Sequence, residues 1–199
     1  VIAICGDSFC APDPEYGPMW ADLLGQHCEV RNYSRRTSTN LLIARQVDQA
    51  IQDKAEFVIV HFTSCTRGEK LHAGEYVPFS YHTASEITTP FDQKSLRILK
   101  EYYTEFFDLD LAIYQNAITI EHTLRKLLQS NRPFRFDQGG FEHASFGGTG
   151  GYFDQYSEYR SEYNLWDHVT ARCYRPYYHI TDSQLHQQVA EYYQQEIEK

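Results

Sequence analysis

Three short apolar runs do most to limit what this chain can fold into. Residues 1–5 ("VIAIC"), 29–33 ("EVRNY") and 56–62 ("EFVIVHF") read as strands, and the segments between them are amphipathic. "MWADLLGQ" at 19–26 has helical spacing behind a loop bearing Pro and Gly. Leu41, Leu42, Arg45, Val47, Ala50 and Ile51 trace a second helical stripe, with Ser38 or Thr39 as its N-cap. Three strands joined by two helical crossovers in about sixty residues predict an α/β fold, a doubly wound and mainly parallel sheet. In such sheets, ligands bind at the loops that follow the strand C-termini.

The remainder of the chain is less regular. Residues 63–92 carry Gly, Pro, Thr, Ser and His without a period and read as a long surface excursion. A helical region over about 92–129 shows two stripes, Leu96, Leu99, Tyr103, Phe106 and Phe107, then Ile113, Ala117, Ile120, Leu124 and Leu127; "DLDL" at 108–111 is expected to break it in two. "RPFRF" at 132–136 reads as a fourth strand with Pro133 at its start. Residues 139–165 form a Gly- and Tyr-rich insertion that lacks the GxxxxGK[ST] pattern of a phosphate loop, and reads as a loop with stacking aromatics or as a groove for sugar rings. Near the end, Thr181 and Gln184 match a capping box. They predict a helix from Asp182 with Leu185, Val189, Tyr192 or Tyr193 and Ile197 on its apolar face.

At 199 residues and 42% hydrophobic composition, the chain is expected to build one core and one domain over 1–199, with excursions near 63–92 and 139–165. A formal charge of −9 argues against a nucleic-acid partner, because such proteins concentrate positive charge on one face. No run approaches the roughly 20 apolar residues of a membrane span, so no membrane partner is expected. Five scattered cysteines without a CxxC imply free thiols in a reducing compartment, which leaves the location cytoplasmic or unknown. Among nine histidines none has zinc-ligand spacing, so no metal and no cofactor is expected. Cys10 and His61 are expected to pack or hydrogen-bond within the structure, and Arg67 and Glu69 to orient substrate or pair with each other.

The chemistry is expected at Gly6-Asp7-Ser8, where the first strand stops. A serine there stands at the ligand-binding edge of the sheet, but it needs a base to become a nucleophile. A strand ending in Gly6-Asp7-Ser8-Phe9 and a histidine, His179, just before a C-terminal helix resemble the SGNH (GDSL-type) hydrolase family. That resemblance implies a three-layer, flavodoxin-like α/β/α sandwich and an ester substrate, either a small molecule or a glycan. It implies Ser8 as nucleophile, His179 as base in preference to His186, and an oxyanion hole that includes the Ser8 backbone N–H.

The rest of the family pattern is altered. "NYSRRTSTN" at 32–40 resembles the second family block with Thr37 in place of glycine. After the third strand Thr63-Ser64-Cys65 replaces the block that holds the oxyanion asparagine, so a hydroxyl of Ser64 or Thr63 would have to substitute. Loss of one such donor costs about 2.7–4 kcal/mol of transition-state stabilisation. Pro176 occupies the position of the family aspartate, three residues before His179, which leaves Asp167, a backbone carbonyl or a Ser–His dyad. Asp7 and Arg67 complete the expected substrate-binding set. The resulting expectation is a serine esterase, with a carbohydrate O-deacetylase as its sharper form; the alternative is a catalytically weak binding module for a glycan or protein.

Overall fold

Strand β1 (Ile2–Cys5) is buried along its whole length, as expected for an apolar run covered by helices on both faces. It lies between β2 (Val30–Asn32) and β3 (Phe57–His61), and β6 (Phe134–Asp137) adds to the far side of β3, giving one parallel sheet of order β2-β1-β3-β6. The register pairs Ile4 with Ile59 and His61 with Asp137. A parallel bridge from Phe136 to Arg160 extends the sheet beyond β6. This computed structural model describes residues 1–12, 17–72, 74–80, 91–139, 153–163, 165 and 182–199.

Alternate residues of each strand point to opposite faces. Ala3, Cys5, Val58, Val60, Phe134 and Phe136 pack with α2 (Asn40–Gln52) and α4 (Leu109–Gln129), through Ile43, Val47, Ile120 and Leu124. Ile2, Ile4, Phe57 and Ile59 pack with α1 (Trp20–Leu24) and α5 (Ser183–Ile197), through Trp20, Leu24, Leu185, Val189 and Tyr193. This is the parallel sheet that the strand and helix alternation predicts, in the three-layer sandwich that the family resemblance implies. Ile59 lies fully buried at its centre. Ile59→Ala is expected to cost about 2–5 kcal/mol of stability, read as a lower denaturation midpoint in guanidinium chloride; a loss under about 1 kcal/mol would mean that the second layer closes over the gap.

Local chemistry sets the helix starts. The Thr39 hydroxyl accepts from Leu42 N, which makes Thr39 and not Ser38 the cap of α2. Helix α3 (Gln93–Glu101) is capped by Asp92, passes into a π turn at Tyr102–Phe106 and stops; Asp108 then caps α4 by accepting from Leu111 N. The break therefore falls where "DLDL" places it. The last helix starts one residue later than the Thr181 box predicts. Asp182 is its cap, and its carboxylate accepts from Gln184 N and Leu185 N. A carboxylate one residue nearer the helix takes those two donors, while Thr181 itself lies outside the described residues.

One element within residues 63–92 was not foreseen. Strands β4 (Gly68–His72) and β5 (Glu75–Phe79) form a separate antiparallel hairpin. It is tied to the sandwich where Glu69 accepts from Arg45 and from the Thr39 hydroxyl, and where the Arg45 guanidinium lies 4.0 Å above the Tyr76 ring. Residues 81–90 lie outside the described set, as do 140–152 and 164 of the Gly- and Tyr-rich stretch, where a 3₁₀ helix at Asp154–Tyr159 is described. Among the described residues no helix is long and apolar enough to cross a membrane.

Candidate active site

Ser8 stands in a turn at the C-terminal end of β1, partly exposed. The turn is built by its neighbour. Asp7 takes the Phe9 N–H on its carboxylate (3.0 Å), and its backbone carbonyl accepts from Cys10 N (3.1 Å) and Ala11 N (2.9 Å). The helix α1 does not follow directly, so the Ser8 N–H is presented by a single helical turn and not by a long helix N-terminus.

Two polar side chains that the sequence reading passed over hold this edge together. Gln46 reaches out of α2, accepts from Gly6 N at 2.7 Å, and donates to Gly6 O at 3.2 Å and Ser38 Oγ at 3.1 Å. It thereby fixes the strand just before Ser8 to the loop before α2. Asn40 does the same for the end of β3, accepting from Thr63 N and donating to Thr63 O and Asn116 Oδ1, each at 2.8 Å. The signal was present for Gln46, since an amide on the face of α2 shared by Ile43, Val47 and Ala50 must find partners when buried.

The second loop is shaped at its start by Asn32, which donates to Cys10 O and accepts from Ser34 N. Thr37 is exposed and has φ +61°, in the left-handed region where a β-branched residue is strained. Thr37→Gly is therefore expected to raise stability by about 1 kcal/mol, the relieved strain exceeding the entropy that glycine adds to the unfolded chain. A thermal shift assay reads this directly; a lower melting temperature would show that the Thr37 hydroxyl, which donates to Arg36 O, matters more than the strain.

The third loop changes the expected roles. Thr63 donates its hydroxyl proton to Asp7 Oδ2 at 2.7 Å and is buried, so that proton is not free for an oxyanion. Ser64 Oγ accepts from Thr66 N and shares a 2.9 Å contact with Thr66 Oγ1. Because either hydroxyl can be the donor in that contact, the Ser64 proton is still available to substrate. Asp7 does not line a substrate surface as expected: its carboxylate is fully buried and spent on Phe9 N, Thr63 and Arg67. Arg67 bonds Asp7 (2.9 Å) and Ser38 O (3.1 Å), while Glu69 goes to Arg45, so the expected Arg67–Glu69 pairing is replaced by two others.

Of the other titratable groups, Cys10 is wholly buried. Burial first, then the Asp7 and Asp137 charges, hold its thiol well above its usual range, in keeping with packing and not with a thiolate nucleophile. His186 is buried between α1 and α5, where its Nδ1 accepts from Trp20 N at 3.2 Å. His179 and Asp167 lie outside the described residues. The structure thus brings Asp7, Thr63 and Arg67 together beside Ser8 and places Ser64 and Thr37 on the loops that follow β3 and β2.

No protein-family model matches the sequence, and no curated protein matches it. The structure matches the crystal structure of the psychrotrophic esterase EstA from Pseudoalteromonas sp., inhibited by monoethylphosphonate, with a TM-score of 0.52 over 99% of this chain and 96% of that one. The fold is shared with that esterase, a parallel α/β sandwich of the kind that the sequence resemblance to SGNH hydrolases implies. At 12% identity this likeness is one of architecture. Thr37, which the sequence resemblance sets against a glycine, has a left-handed backbone, the conformation glycine adopts without penalty.

Proposed function

We propose that the chain is a serine ester hydrolase acting by acyl transfer. Ser8 is the nucleophile, His179 takes its proton, and the N–H groups of Ser8 and Thr37 with the Ser64 hydroxyl hold the developing oxyanion. The ester C–O bond breaks as the imidazolium returns its proton to the departing alcohol, and water, deprotonated by the same imidazole, then releases the acyl group as the acid and restores Ser8. Asp167 or a backbone carbonyl orients the imidazole, and an O-acetyl group on a carbohydrate is the proposed substrate. The observation that carries this reading is the Ser8 turn: a partly exposed serine at the end of a central strand, on a fold shared along its length with an esterase.

A fluorophosphonate probe tests it, because only an activated serine reacts. Covalent labelling that maps to Ser8 is the expected result; labelling that persists in Ser8→Ala would remove the assignment.

A second reading, an SGNH-like binding module for a glycan or protein, is favoured by the Thr63 hydroxyl being committed to Asp7, which leaves a sparser set of oxyanion donors. Under that reading the probe leaves the protein unlabelled.

A further inference from the structure

Beside the Ser8 turn lies a buried group of charges that the proposed chemistry does not use. His61, the last residue of β3, is paired in register with Asp137, the last residue of β6, and its Nδ1 is 3.0 Å from Asp137 Oδ2. Its Nε2 is 3.8 Å from Asp7 Oδ1 and has no hydrogen-bond partner among the described residues. Asp137 also accepts from Gly139 N at 2.6 Å and from Leu165 N at 2.9 Å. Asp7 in turn holds Phe9 N, Thr63 and Arg67. The imidazole therefore bridges the ends of β1, β3 and β6, and through Asp137 it reaches the chain two residues before Asp167.

Charge balance defines the state of the ring. Two buried carboxylates face one guanidinium, so a neutral imidazole would leave one uncompensated negative charge in a site with His61, Asp7 and Asp137 all at 2% exposure or less. A cationic ring closes the balance. The Phe9 ring stands edge-on to it at 5.3 Å, and the buried Cys10 thiol lies within reach of the Asp7 and Asp137 charges. From α5, Tyr193 adds a phenol that burial keeps protonated and that bonds Ser161. Burial alone would lower the ionisation of His61, but Asp137 first and then Asp7 outweigh it and the net direction is upward, with Arg67 opposing.

We infer that His61 is a positioning residue for Ser8: a cation clamped between Asp137 and Asp7 that fixes the Ser8 turn to the β6 edge and to the segment leading toward Asp167. The inference rests on the reading of Ser8 as nucleophile. Flanked by a carboxylate on each side, the ring keeps its proton and does not act as the base.

Nitrogen-detected NMR of the histidine rings in the unaltered protein, combined with kinetics, tests this. At pH 7 His61 is expected to carry protons on both ring nitrogens. With p-nitrophenyl acetate, His61→Asn and His61→Gln are expected to lower kcat at least tenfold and leave KM within twofold, a split that a loss of folded protein alone would not give when rates are scaled to the cooperatively melting fraction. In the unaltered protein, the rate of fluorophosphonate labelling is expected to fall with rising pH at the NMR midpoint of His61, so that the test stands even where both variants fail to fold. A neutral ring at pH 7, kcat within twofold of the parent in folded variants, or no fall in labelling at that midpoint overturns the inference. Failure of the Ser8 reading looks different: Ser8→Ala keeps full activity while the His61 ring is still found charged.

Discussion

Ser8→Ala lowers the turnover of p-nitrophenyl acetate by at least about a thousandfold if Ser8 is the nucleophile, since removal of a catalytic serine leaves only what binding and oxyanion stabilisation supply. The substitution suits the purpose because little else depends on the Ser8 side chain. The turn is held by the Asp7 carboxylate and carbonyl, by Gln46 at Gly6, and by Asn32 at Cys10 O, none of which involves the Ser8 hydroxyl. Stability is therefore expected to stay within about 0.5 kcal/mol of the parent, so that lost activity cannot be ascribed to unfolding. Equal rates for mutant and parent would remove the nucleophile, and with it the mechanism proposed above.

The parts of the fold that were legible in the sequence are those set by local pattern. The apolar runs of β1 and β3 are continuous because helices cover both faces, and the α2 and α4 stripes follow the helical period. Asp108 marks the break between the helices, since its short carboxylate can cap α4. Hairpin β4–β5 was not legible. Its contacts are polar and aromatic, Glu69 and Tyr76 to Arg45 and Phe79 to Tyr103, and it carries Lys70, Glu75 and Pro78, so no apolar alternation appears. At the site, Ser8 could be read because strand and turn are adjacent in sequence. The contacts that set its surroundings join residues far apart, such as Gly6 to Gln46, Asp7 to Arg67 and His61 to Asp137, and one sequence carries no trace of those pairings. Asp7 was misjudged for the same reason. Its position beside the serine suggested substrate contact, whereas Thr63 and Arg67, brought in by the fold, turn its carboxylate inward.

The largest effect on stability is expected at Gly139, and the form of that effect separates two kinds of glycine requirement. Gly139 has φ +55°, and a Cβ placed there would lie 1.9 Å from Phe62 O and 2.9 Å from Phe62 C. If backbone conformation alone required glycine, asparagine would be a mild replacement, because it tolerates the left-handed region better than alanine does. A collision with a main-chain carbonyl cannot be relieved by a rotamer. Gly139→Asn is therefore expected to be at least as damaging as Gly139→Ala, each costing more than about 3 kcal/mol, in the range of the severe steric substitutions. The displacement would be felt at the site, since Gly139 N bonds the Asp137 carboxylate and Phe62 N bonds Asp137 O at 2.9 Å. Moving either strand end loosens the His61 pairing across β3 and β6. Denaturant melts of both variants decide the matter: an asparagine variant markedly more stable than the alanine variant would show that Phe62 yields and that conformation, not contact, explains the glycine.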